Sequence, residues 1–493
     1  MLERLALLTA PPRRFAAFAL AWLVAFAWIR PLAVPDEGRY TDIARWMVLS
    51  GDWLIPRLDG LPFIQKPPLY FWLEACLISV AGNALLVYRT VSVAAALATL
   101  CFVHRFVRLR LDADAARWTT LILLTGPFFF GGAQFASLDM LVAACITCTV
   151  LFAVEAAERT DAGANRLWIA AYAAAALGVL AKGLIGVVIP GLVFVVWALV
   201  TRRPRLLLAA ISWRGLIAFL VLAVPWFVLV EQRMPGFLRY FFIHNHFERY
   251  AESGFNNPRG AWYYFALVLA GMLPWTVGLF PTVRAAFARG GVERPVVMLG
   301  VLALSWTLTV LVFFSIPRSK LPGYVLPALP PLAILLGPWF ARWKHRRVAL
   351  VIAMLLCVVL SPLALRASGL DPGRMASDLR NEVASQDRVV FFRRYFFSVP
   401  VILERNRAVE VVDAWNASSE QIPDSWRREL TEGREFEPAS AAGVLITPAE
   451  FRASLATNPA RVWVWVFKGD MQAPELAGLK LVRERGEYAV LSR

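Results

Sequence analysis

Asp36-Glu37-Gly38-Arg39-Tyr40 closes the apolar run from Phe15 to Val34, and Gln65-Lys66-Pro67-Pro68 follows in a loop too polar to enter hydrocarbon. Two acids at the edge of a membrane-length segment, facing a Lys-Pro-Pro turn, point to chemistry on an anionic, lipid-borne substrate. Outward from this stretch the same alternation of apolar run and short polar loop repeats. Apolar residues make up 59% of the 493-residue chain, and the mean hydropathy is +0.58. A soluble fold of that composition would have no polar surface left to show water.

The sequence therefore predicts a polytopic α-helical membrane protein with a small C-terminal α/β soluble domain. Eleven spans are expected, near 15–34, 85–103, 117–133, 139–155, 167–181, 183–200, 213–231, 262–283, 295–314, 322–341 and 347–366. Two further helices are allowed for, giving about 11–13. Leu69 to Gly82 is too short to span comfortably and carries Glu74, so it reads as a helix lying in the interface. The domain reading is a membrane domain over 1–366, with outer-face loop helices at about 40–82, and a soluble domain over 367–493.

Charge orients the bundle. Arg13 and Arg14 precede the first span, and alternate loops hold Arg105, Arg108 and Arg110, then Arg159 and Arg166, then Arg202 and Arg203, then Arg342 and Arg346. Such loops face the cytoplasm. They account for most of the +16 net charge, which is thus a topology signal, and no basic-aromatic module of the nucleic-acid type is present. An odd number of spans from a cytoplasmic start places the C-terminal domain outside. The first span has no small-residue cleavage exit before it and is expected to stay as an anchor. The five cysteines, Cys76, Cys101, Cys145, Cys148 and Cys357, fall in apolar segments, so a disulfide framework is not expected.

In the soluble part, strands are expected at Arg388–Phe392, Ala408–Val412, Gly443–Thr447 and Arg461–Phe467, with a helix at Pro448–Ala456. The alternating Val462-Trp463-Val464-Trp465-Val466 reads as a core strand.

The same topology decides which polar residues can meet. Asp36, Glu37, Lys66, Asp139, Lys182, His244, His246, Lys320 and Tyr324 all fall on the outer side. Charged groups at the edge of hydrocarbon are costly unless paired or wet, so their gathering on one face is a site hypothesis. Each also has a structural explanation. Asp36 could cap the helix that follows, with Glu37 and Arg39 forming a local pair. Lys66 could be a solvated turn residue, Asp139 a helix cap, and Lys182 and Lys320 interfacial snorkelers. Two nearby histidines alone are a weak metal signal.

The motifs resemble a family. Asp-Glu-x-Arg-Tyr, Ser50-Gly51-Asp52-Trp53, Lys66-Pro67-Pro68-Leu69-Tyr70, Ala181-Lys182-Gly183, Leu273-Pro274-Trp275 and Lys320-Leu321-Pro322-Gly323-Tyr324 are similar, in order, to the bacterial lipid A aminoarabinose transferases and other GT-C membrane glycosyltransferases. The resemblance implies transfer of a sugar from a polyprenyl-phosphate donor, such as undecaprenyl phosphate, on the periplasmic face of the bacterial inner membrane. It implies Asp36 as the catalytic acid residue and Asp139 as a second cavity carboxylate. Lys66, Lys182 and Tyr324 would surround the donor phosphate, with Lys320 nearby; Arg39, read from the residues alone, could pair with the acceptor or with Glu37. It also implies a divalent-metal site, for which this chain offers Gln65 and His246; the family's Glu is replaced here by the amide of Gln65, a weaker ligand. No other cofactor is implied.

Physical chemistry reaches the same transfer. Cations neutralise the charge that grows on a phosphate as the glycosidic bond breaks, and Asp36 can take a proton from a hydroxyl acceptor. No nucleophile for a covalent intermediate stands out, so single displacement with inversion is expected. The acceptor is expected to be lipid A or another lipid-linked glycan, with a protein O-glycosyltransferase as the alternative. A lipid or sugar transporter would bury its charges near mid-membrane in related halves, and no internal repeat is evident.

Overall fold

The computed structural model describes residues 12–33, 35–243, 257–287, 294–367 and 372–493. In chain order the first elements are α1 (Pro12–Val24), α2 (Asp36–Ser50), the hairpin β1 (Arg57–Leu58) and β2 (Leu61–Pro62), α3 (Leu69–Ala81), α4 (Leu85–Arg110), α5 (Ala113–Thr125), α6 (Pro127–Ala133), α7 (Leu138–Ala157), α8 (Gly163–Lys182) and α9 (Ile185–Val200).

Among the described residues, six helices are long and apolar enough to cross a membrane: α4, α7, α8, Trp213–Arg233, Pro295–Ser315 and Pro322–Arg342. Four of the other expected spans are present as shorter or broken helices. The segment 117–133 divides at Gly126-Pro127 because the residue before a proline is driven into extended backbone, and Pro127 then opens α6. The segment 262–283 bends by 102° between Tyr263–Gly271 and Trp275–Arg284. α9 and α1 are apolar helices shorter than 18 residues, and Arg346–Ala367 forms a helix of 22 residues. The helix Trp213–Arg233 turns Leu216, Val221 and Leu229 outward, an apolar surface suited to lipid.

Basic residues of several segments pair with acids around the C-terminal end of α4. There Arg105 bonds Glu155 at 2.9 Å, Arg110 bonds Glu158 at 2.6 Å and Arg346 reaches Asp114 at 3.3 Å, linking four elements.

The C-terminal part is an α/β domain with a six-stranded sheet. Its strands are β3 (Arg388–Phe392), β4 (Glu410–Val412), β5 (Leu445–Ile446), β6 (Val462–Phe467), β7 (Lys480–Arg485) and β8 (Tyr488–Ser492), in spatial order β5-β4-β3-β6-β8-β7. The first four are parallel, and β8 and β7 add an antiparallel edge that the sequence pattern had not suggested. Trp463 and Trp465 are fully buried, as a core strand requires.

Strand alternation fixes how this domain sits. Val389, Phe391, Trp463, Trp465 and Val490 share one hydrophobic core with Ile43 and Met47 of α2 and Tyr70 and Phe71 of α3. The opposite sheet face, with Val390, Phe392, Val412 and Val464, packs around Phe451. Successive side chains point to opposite faces, so each strand serves both cores at once. Burying aromatic rings of this size contributes about 2–3 kcal/mol apiece. Polar contacts add direction: the Val409 amide donates to Asp59 at 2.9 Å, and Arg45, paired with Asp42 at 2.6 Å, donates to the Arg405 carbonyl. The domain is thereby fixed against the loop helices that carry the Asp-Glu and Lys-Pro-Pro motifs.

Candidate active site

The Asp-Glu-Gly-Arg-Tyr motif opens α2, and each residue has a separate task. Glu37 is fully buried. Its carboxylate accepts from Arg89 Nε at 2.8 Å and Nη2 at 2.9 Å, from Arg30 Nη2 at 2.9 Å, and from the amides of Ala33 and Ala136 at 2.8 Å each. Burial alone would raise this carboxyl, but the Arg89 and Arg30 charges outweigh it and hold Glu37 at about 2. Glu37 is an anchor. It ties α2 to the end of the first apolar run, to α4 and to the turn leading into α7.

Asp36, one residue earlier, has a side chain 34% exposed and lies 3.8 Å from Arg39. The helix has no side-chain cap bond at its start, so capping is not the role of Asp36. Gly38 is needed for contact: a Cβ there would lie 2.7 Å from the Phe397 carbonyl carbon of the C-terminal domain. Arg39 turns toward that domain, pairing with Glu429 at 3.0 Å and lying 4.8 Å from the Phe397 ring centre. Tyr40 is buried; burial raises its hydroxyl, the Asp36 charge pushes the same way, and Tyr324 also acts on it.

Tyr324 belongs to the second group. Ser137 caps α7 by accepting from the Asp139 amide at 3.2 Å, which leaves the Asp139 carboxylate for another partner. That partner is Lys182, at the last turn of α8, in a direct ion pair. The Lys182 ammonium also lies 4.4 Å from the Tyr324 ring centre. Gly323 makes the approach possible, since a Cβ there would overlap Asp139 Oδ2. Asp139, Lys182, Gly323 and Tyr324, from three segments, therefore meet.

Lys320 is placed differently from the expectation. It is buried, and its ammonium donates to the Pro317 carbonyl of its own loop. The loop is pinned by the Lys320 amide to the Asn257 carbonyl at 3.1 Å.

The third group surrounds the Lys-Pro-Pro turn. Lys66 is half-buried. Gln65 before it is buried and donates Nε2 to Glu432 Oε2 at 2.7 Å. Tyr240 donates to the same oxygen at 2.6 Å, and Arg428 Nε donates to Oε1 at 3.0 Å. Glu429 and Glu432 come from the helix Trp426–Phe436 of the C-terminal domain, which lies across this face of the membrane domain. Burial pushes Glu429 up to about 7; Arg39 opposes the rise, and Asp424, Glu432 and Asp36 add to it. Neither glutamate was singled out from the sequence. Nothing in their local pattern separates them from the charges of any half-exposed helix.

The metal reading of Gln65 with His246 meets an obstacle at Gln65. The amide gives its nitrogen to Glu432, so only its oxygen, a weaker ligand than a carboxylate, is left for a cation. His244 and His246 lie outside the described residues. Among the described residues no group of three or more His, Cys, Asp or Glu side chains is placed to hold a metal ion.

A family model described as dolichyl-phosphate-mannose-protein mannosyltransferase matches residues 65–229. The solved structure of ArnT from Cupriavidus metallidurans bound to undecaprenyl phosphate superposes with a TM-score of 0.81, at 26% identity, over 97% of both chains. The chain is ArnT-like, with the GT-C fold. An undecaprenyl phosphate-alpha-4-amino-4-deoxy-L-arabinose arabinosyl transferase of Pseudomonas aeruginosa (strain UCBPP-PA14) is 34% identical over 327 residues, covering 65% of this chain and 58% of the relative. The enzyme of the same name from Erwinia tasmaniensis is 31% identical over 324 residues, covering 65% of this chain and 57% of the relative. The chain thus spans less than two thirds of the length of these curated relatives. The ArnT-like match makes it a multi-pass membrane protein, consistent with its long apolar helices.

Proposed function

We propose that the chain is an integral membrane glycosyltransferase that moves a sugar from a polyprenyl-phosphate donor to lipid A or another lipid-linked glycan, by inverting displacement. It would act at the periplasmic face of a bacterial inner membrane, with the C-terminal domain on that side. The observation that supports this reading is the Asp139–Lys182–Tyr324 group, gathered from three segments, together with the Asp36–Arg39 pair at the start of α2.

The geometry suits the reaction. A polyprenyl chain would lie along the apolar helices while its phosphate reaches Lys182 and Lys66. Asp139 holds the Lys182 ammonium in place, so the cation needs no reorganisation when charge grows on the leaving phosphate. The acceptor oxygen attacks the anomeric carbon as the bond from that carbon to the phosphate oxygen breaks, and polyprenyl phosphate departs with the electron pair. A hydroxyl acceptor gives its proton to the Asp36 carboxylate; an anionic acceptor is oriented by it, with Arg39 as counter-charge.

The test is mass spectrometry of lipid A, other envelope glycans and proteins from cells with and without the chain. An increment of one sugar on a lipid supports the reading. The same increment on proteins replaces the acceptor, and unchanged lipids and proteins with altered solute uptake overturn it.

A further inference from the structure

The C-terminal domain sends one helix, Trp426–Phe436, across the candidate site, and a single carboxylate on it joins three segments. Glu432, with a side chain 5% exposed, accepts from Gln65 of the Lys-Pro-Pro loop, from Tyr240 of the segment after the helix Trp213–Arg233, and from Arg428 of its own helix. A buried carboxylate is costly unless its lone pairs are matched by donors, and here three donors converge on it. The contact is close-fitting. At the next residue, Gly433, a Cβ would lie 2.8 Å from the Pro62 carbonyl oxygen, so the helix rests on the hairpin that leads directly into Gln65.

Resting on the function proposed above, we propose that Glu432 is a positioning residue for sugar transfer. Its bond to Gln65 fixes the loop and thereby sets where Lys66, the next residue, presents its ammonium to the donor phosphate. The C-terminal domain is then a component of the site, and its docking is required for donor use. The pairing is specific in its chemistry: Gln65 supplies the donor and Glu432 the acceptor, whereas a carboxylate at position 65 would face Glu432 with like charge.

A reciprocal swap tests this. Purified full-length variants Gln65→Glu, Glu432→Gln and the double variant are assayed for transfer from a polyprenyl-phosphate sugar, with KM for the donor and kcat measured separately. Melting temperature and binding of undecaprenyl phosphate are followed alongside. Gln65→Glu is expected to raise the donor KM by about 10-fold or more, the scale of a lost charge-assisted hydrogen bond, with kcat changed less. The double variant, in which the amide at 432 donates to the carboxylate at 65, should recover most of that loss. Gln65→Met, which removes the donor and adds no charge, should raise the KM as well and covers the case in which Gln65→Glu does not fold. Folded variants that all keep the wild-type KM overturn the positioning role alone. A double variant no better than Gln65→Glu does the same. If wild-type protein neither binds undecaprenyl phosphate nor transfers a sugar, the function fails and this role falls with it.

Discussion

Substituting Gln for Glu37 separates the two neighbouring acids of the motif. The Glu37 carboxyl lies at about 2 against its ordinary 4.5. At about 1.4 kcal/mol per pH unit this preference for the anion corresponds to roughly 3 kcal/mol of stability. Because the folded-state value is depressed, the contribution is fully present above the unfolded value of 4.5 and is lost as pH falls from there toward about 2. A second route gives a similar magnitude. Gln keeps the shape but removes the charge that the guanidiniums of Arg89 and Arg30 both contact, and stranding a buried charge costs about 3–5 kcal/mol. The assay is thermal melting of the purified protein followed by tryptophan fluorescence, at neutral pH and at a series of acid values. Glu37→Gln should melt several degrees below wild type at pH 7, and the gap should narrow as pH falls below 4.5. Asp36→Asn should melt as wild type does, because the Asp36 side chain is one-third exposed and makes only a 3.8 Å contact. A Glu37→Gln protein indistinguishable from wild type at neutral pH would refute the anchoring argument.

Further expectations follow from the other groups. Lys182→Ala removes the cation held by Asp139, and kcat/KM for the polyprenyl-phosphate donor should fall by about 10–100-fold, with folded protein still recovered from membranes. Gly323→Ala places a methyl group where Asp139 Oδ2 lies, so transfer should drop sharply although neither charged partner is altered; steady-state kinetics beside a melting curve will check it. Glu429 is raised in the folded state to about 7, so it favours folding with a proton bound; that stabilisation is present below 4.5 and fades as pH rises through about 7. Melting temperatures of Glu429→Gln should accordingly vary less with pH across that window than those of wild type.

The membrane class and the motif clusters were legible because each follows from short-range rules. Long apolar runs need lipid, and Lys182 and Asp139 sit at helix ends where a charge demands a partner. Segments broken by Gly126-Pro127 or bent before Trp275 read as single spans because hydropathy does not register a turn inside an apolar run. Which of Asp36 and Glu37 is buried was not legible, since adjacent helical residues differ by about 100° in direction and the partners, Arg30 and Arg89, lie in other segments. Those two arginines fall inside the expected spans 15–34 and 85–103. Glu432 and Glu429 were hidden for the same reason: Gln65 and Arg39, which they meet, are more than 300 residues away along the chain, and only the packing of the sheet on α2 and α3 brings them together.

The most direct test is an in vitro transfer assay with a radiolabelled polyprenyl-phosphate sugar, comparing wild type with Asp36→Asn in the same membranes and measuring undecaprenyl phosphate binding in parallel. Asp36→Asn should bind the lipid phosphate as wild type does and transfer no measurable sugar. Transfer at the wild-type rate by Asp36→Asn would contradict a reaction centred on this carboxylate.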